Sequence, residues 1–101
     1  MLVELEKTIA EQQQATSALD TYRAAAEKGD AEACEELGRL YERGQGVPRD
    51  VVAAYVWYSL AGNRPYSRGR LQALQAQMSS EQLSEAAGRI AQWRSRQKKS
   101  Q

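Results

Sequence analysis

The sequence predicts an all-α domain of about five helices. Apolar residues return at three- and four-residue steps along most of the chain, the period of a helix with one buried face. Helix breakers are scarce, with two prolines and seven glycines among 101 residues, and abundant alanine with no phenylalanine suits closely spaced helices. The chain also resembles itself: a shift of 36 residues lays Ala18 on Ala54, Tyr22 on Tyr58 and Ala25 on Ala61. The match decays further on, as in a short array whose second unit is an altered cap.

Taken in order, Leu2, Leu5, Ile9, Ala15, Ala18, Leu19, Tyr22 and Ala26 mark an amphipathic helix running to about Lys28. Residues 1–17 form its N-terminal amphipathic region. Gly29 is a stop signal, and the Asp30 carboxylate can cap the next helix. That helix, Ala31 to Arg43, places Ala33, Cys34, Leu37, Gly38, Leu40 and Tyr41 on one side and Glu32, Glu35, Glu36, Arg39 and Glu42 on the other. Gly44 and Gly46 then permit left-handed backbone at low cost, Pro48 holds Val47 extended, and Asp50 stands at an N-cap position. "GQG" is therefore the corner of a helix–turn–helix. A phosphate loop would need a preceding strand and a lysine or further glycines at fixed spacing.

Val51 to Gly62 has Ser59 as its one clearly polar side chain, so it is a helix covered on more than one side, the middle layer of the domain. Leu71, Leu74 and Met78 set a stripe on the fourth helix. Ser79 with Gln82 forms a capping box for the fifth, whose stripe is Leu83, Ala86, Ala87, Ile90 and Trp93. By this reading 18–62 is the repeat, 63–96 a degenerate capping unit and 97–101 a basic flexible tail.

Catalytic chemistry finds few candidates. Histidine is absent, which removes the commonest general base and a common metal ligand. Cys34, the single cysteine, lies on an apolar stripe and reads as a buried, inert thiol. The carboxylates of Glu32, Glu35 and Glu36 read as a solubilising face. The sequence thus predicts no enzyme, no cofactor and no metal site. The first residues lack a basic start and an unbroken apolar run, and the longest apolar segment is shorter than a bilayer requires, so the expectation is a cytoplasmic protein without a membrane span.

Charge is unevenly distributed. Residues 1–50 carry eleven acids and six bases, giving −5, and residues 51–101 carry two acids and eight bases, giving +6. Such polarity can orient a partner or is simply two solvated faces. Arg89, Arg94, Arg96, Lys98 and Lys99 around Trp93 suggest an alternative role as a small nucleic-acid binder using the basic C-terminal end. The acidic first half and the register of Trp93 with Ile90 and Ala86 disfavour that role.

The run Ala33, Leu37, Gly38, Tyr41, Gly44, Gly46, Val47, Asp50, Ala54, Trp57, Tyr58 and Ala61 resembles the Sel1-like repeats, relatives of tetratricopeptide repeats. The likeness covers about Ala18 to Gly62, and "QMSSEQLSEA" looks like the C-terminal cap of many bacterial relatives. "NRPYSRG" departs from the pattern. The resemblance implies a short helical solenoid with a C-terminal capping helix, and a function in binding a protein or peptide as an adaptor, inhibitor or immunity-type protein. On that geometry Glu35, Arg39 and Glu42 of one helix and Arg68, Gln72 and Gln75 of the next form the expected partner-binding face. Leu2, Leu5 and Ile9 suggest a homodimer or partner-helix contact through the N-terminal helix.

Overall fold

The computed structural model describes residues 18–99, all helices and short connections with no strand among them. Helix α1 covers 18–27, α2 Ala31–Arg43, α3 Val51–Leu60, α4 Pro65–Gln77 and α5 Ser80–Lys99. The N-terminal region 1–17, with the dimer contact expected at Leu2, Leu5 and Ile9, lies outside the described residues.

Local chemistry sets the boundaries. Asp30 accepts hydrogen bonds from the backbone N–H groups of Glu32 (3.0 Å) and Ala33 (3.3 Å), and Asp50 accepts one from Ala53 (3.0 Å). Each carboxylate thus satisfies amides that have no partner inside their own helix. Gly44 ends α2 at φ 71° and Gly46 follows at φ 78°, both left-handed. The amides of Gly44 and Gln45 both donate to the Leu40 carbonyl. Arg49 donates to the Glu42 carbonyl at 2.9 Å, and the Asp50 amide reaches the Tyr41 carbonyl at 2.9 Å. The corner is therefore fastened to the last turn of α2 by the amides of Gly44, Gln45 and Asp50 and the side chain of Arg49.

Helix α3 packs against α2, α4 and α5, as its lack of a polar stripe requires. It ends at Leu60, two residues short of the expected Gly62, which lies beyond it at φ 77°. Its sides serve two apolar clusters. Val52, Ala54, Val56 and Tyr58 meet Leu74 and Met78 of the α4 end and Ala86 of α5. Trp57 and Ala61 meet Ala26, Ala33, Cys34 and Leu37. Burial pushes the Cys34 thiol up to about 11, with the Asp30 charge adding to it, which accords with an inert thiol.

The capping box forms as expected: Ser79 N–H donates to Gln82 Oε1 at 2.9 Å and Gln82 N–H to Ser79 Oγ at 3.1 Å. At the other end α5 continues to Lys99, past the boundary expected at residue 96. The Gln97 side-chain amide donates to the Glu27 carbonyl at 3.2 Å, which fastens this end of α5 to the end of α1.

Candidate functional site

The face expected to bind a partner is built by α2 and α4. Glu35 and Glu42 stand seven residues apart, about two turns along one side of α2. Opposite them α4 and its approach bring Arg64, Ser67 and Arg70, spaced by three.

Glu35 is not on an exposed face; the structure corrects that expectation. It is 4% exposed, and its Oε2 accepts hydrogen bonds from the Ser67 hydroxyl (2.8 Å) and the Ser67 backbone N–H (3.2 Å). Arg64 Nε lies 3.2 Å from Oε1, without the alignment of a hydrogen bond, and Arg39 lies 3.9 Å from it. The reason is helix termination. α4 begins with Pro65, which has no N–H, and position 64 offers an arginine with no capping oxygen. Glu35 reaches across from α2 and caps α4 in its place, meeting the positive end of the helix with a negative charge. Burial alone would push this carboxyl up, but the contacts from Ser67 and Arg64 and the charges of Arg64 and Arg39 outweigh it and hold it below its ordinary value.

Glu42 is similarly engaged. Arg70 Nε donates to both carboxylate oxygens at 3.1 Å and the terminal guanidinium nitrogen closes the fork, while the Tyr58 hydroxyl donates to Oε1 at 2.8 Å. Burial works against ionisation here too, and the hydrogen bonds from Arg70 and Tyr58 with the charges of Arg70 and Arg49 prevail, keeping the carboxyl low. Burial, then its bond to Glu42, pushes the Tyr58 phenol well above its ordinary range.

A pH prediction follows from these two depressed carboxyls. Their stabilisation is present above the ordinary carboxylate pKa of about 4.3 and is lost as pH falls through the lower folded values. Melting temperature should therefore hold between about pH 7 and pH 5 and decline below about pH 4. Glu35→Gln should melt lower than wild type at neutral pH, with the gap narrowing in acid as the wild-type carboxyl takes up its proton. A gap constant across the whole range would remove the charge from the account.

The remaining expected residues sit differently. Arg39 is half-buried, pairs with Glu36 at 2.6 Å and lies 4.3 Å above the Tyr66 ring. Arg68, Gln72 and Gln75 are exposed on α4, as is Tyr66 at 39%. Arg64, Ser67, Arg70 and Tyr58 were not anticipated in this network. The signal for the two arginines was the acidic first half against the basic second, which the fold spends partly on these internal pairs; the neutral Ser67 and Tyr58 had none.

Among the described residues no group of three or more His, Cys, Asp or Glu side chains is placed to hold a metal ion. No helix among them is long and apolar enough to cross a membrane. The family model of the Sel1 repeat matches residues 31–66, that is α2, the glycine corner, α3 and the start of α4. Neither the curated proteins nor the solved structures contain a match. Sel1 repeats generally mediate contacts between proteins. From the start of α2, just after its capping Asp30, through the Gly44 to Gly46 corner to the capped start of α4, residues 31–66 are similar to a Sel1 repeat.

Proposed function

We propose that the chain acts by stoichiometric contact with another protein or peptide, as an adaptor, inhibitor or immunity-type protein, and that it performs no catalysis. The observation that carries this reading is the Sel1 repeat at residues 31–66, a unit that generally serves as an interaction module. The proposed contact surface is the exposed side of α4, Arg68, Gln72 and Gln75, with Arg39 and Tyr66 beside it. Glu35 and Glu42 contribute by tying α2 to α4, so that the surface is set before a partner arrives and less ordering cost is incurred on binding. A surface of this size suits a short segment or an edge of the partner.

The test is capture of the partner on the full chain, reconstitution from purified components, and calorimetric titration. The expected result is a fixed whole-number stoichiometry and a loss of at least about tenfold in affinity for the Arg68→Glu, Gln72→Ala, Gln75→Ala variant. Light scattering on the free chain in the same series reads out the proposed homodimer through residues 1–17. A captured protein that is chemically altered on release would overturn the non-catalytic reading. Micromolar binding of single-stranded or duplex nucleic acid at physiological salt, lost steeply as salt rises, would move the reading to the nucleic-acid alternative.

A further inference from the structure

We infer that the groove between α1 and α5, floored by α3, is a docking site for an acidic protein segment carrying an aliphatic side chain among its carboxylates. The inference rests on the reading that the chain acts by protein contact, and it adds a second surface with a stated partner chemistry. None of the six residues expected from the sequence lines this groove. Tyr41, which does, is two residues beyond Arg39 and so about 200° further around α2.

The groove has a volume of about 420 Å³, within the usual range for small binding clefts. Its floor is apolar, formed by Ala53, Val56 and Leu60 of α3 beside Trp57. Tyr41 and Trp93, both half-buried, close two sides. An aliphatic side chain entering here would leave water to rest on this apolar floor.

Around that floor the charge is positive. Arg23 of α1 and Arg89 and Arg96 of α5 line the groove against a single carboxylate, Glu27. Exposed Arg94 and Lys98 extend the positive field along α5, and no acidic residue follows Glu85 in the sequence. The present partners of two of these guanidiniums are readily exchanged. Arg23 donates to the Tyr41 hydroxyl at 3.3 Å, and Arg89 pairs with Glu85 at 2.6 Å between side chains 45% and 53% exposed. Exposed pairs of this kind contribute little, so an incoming carboxylate can replace them at small cost. Arg96 lies 5.3 Å above the Trp93 ring, a cation–π contact that places its charge at the wall.

The same rings argue for a peptide over a nucleic acid. Base binding requires open aromatic faces for stacking. Trp57 is 7% exposed and meets Trp93 edge to face at 5.0 Å, with Arg96 over Trp93, so the indole surfaces at the groove are already engaged.

The chain has two tryptophans, both at this groove, so their indole N–H signals in a ¹⁵N spectrum report occupancy directly. The probes are an acetylated hexapeptide of aspartates and glutamates around one leucine, its alanine and lysine-for-acid counterparts, and a single-stranded oligothymidine. The leucine peptide is expected to move the Trp93 indole saturably with sub-millimolar Kd at low salt. Affinity should fall at least about fivefold for the alanine peptide and at high salt, with no shift from the lysine peptide. Arg89→Glu with Arg96→Glu should lose at least about tenfold at unchanged helix content, while Arg68→Glu stays within about twofold. Should the double reversal lose helix content, Arg89→Gln with Arg96→Gln gives the same reading. Indoles unmoved by any acidic probe, equal binding of the leucine and alanine peptides, or tighter binding of oligothymidine would each overturn the inference. If peptide or partner instead moves the amides of Arg68 and Gln72 and leaves both indoles still, the groove fails while the protein-contact reading stands.

Discussion

Trp57→Ala is expected to cost about 3–5 kcal/mol, the range for removing a large buried aromatic ring. Trp57 is 7% exposed and belongs to the apolar cluster that also contains Ala26 of α1 and Cys34 and Leu37 of α2. Its ring meets Trp93 of α5 edge to face at 5.0 Å, a geometry that contributes beyond burial alone. One side chain thus joins four helices, and its loss leaves a void that none of them can fill alone. Since folded domains are commonly stable by only about 5–15 kcal/mol, a domain this small should be largely unfolded or melt far below wild type. Urea and thermal unfolding followed by circular dichroism measure this, and Trp57→Phe should recover a large part of the loss. A cost under about 1 kcal/mol would mean the ring is not part of the core.

Gly38→Val should destabilise by at least about 3 kcal/mol, the upper end for overpacking a core. A Cβ at position 38 would stand 2.6 Å from both Cδ1 and Cε1 of Tyr58. Tyr58 has nowhere to retreat, because it is 0% exposed and its hydroxyl is held by Glu42. α2 would have to move off α3 and pull on the Glu42 to Arg70 fork as it went. Gly38→Ala should cost less than valine, because the gain of about 1 kcal/mol in helix propensity offsets part of the same clash. Melting temperatures of the two variants check the order, and a valine variant as stable as wild type would contradict the close approach of α2 and α3.

Features that depend on a few neighbouring residues were legible in the sequence. Asp30 and Asp50 cap their helices, Gly44 and Gly46 turn left-handed, and Ser79 and Gln82 form their reciprocal box, because each is settled within about four residues of chain. The all-apolar α3 was legible as a central element for a similar reason: a helix with no polar side must be covered all round.

Glu35 shows where such reading stops. Periodicity assigns it to the polar side of α2, which is correct for α2 alone. It is buried because α4 starts with a proline behind an arginine and needs an acceptor from elsewhere, a demand arising 32 residues downstream. Glu42 and Arg70 repeat the lesson at a separation of 28 residues. The charge imbalance between the two halves was visible, but whether it faces outward or is consumed by internal pairs depends on which side chains the packed helices bring within reach.

The sequence alone determined the helices, the caps at Asp30, Asp50 and Ser79 and the glycine corner, since hydrogen bonding within a turn and the period of burial act over short stretches of chain. Only the tertiary structure decided which polar residues remain available. Capping of α4 by α2, the fork between Glu42 and Arg70, and the arginine-rimmed groove between α1 and α5 all join residues far apart in the chain. Contacts of that kind are fixed by how the helices pack, and a helical pattern carries no record of its neighbour.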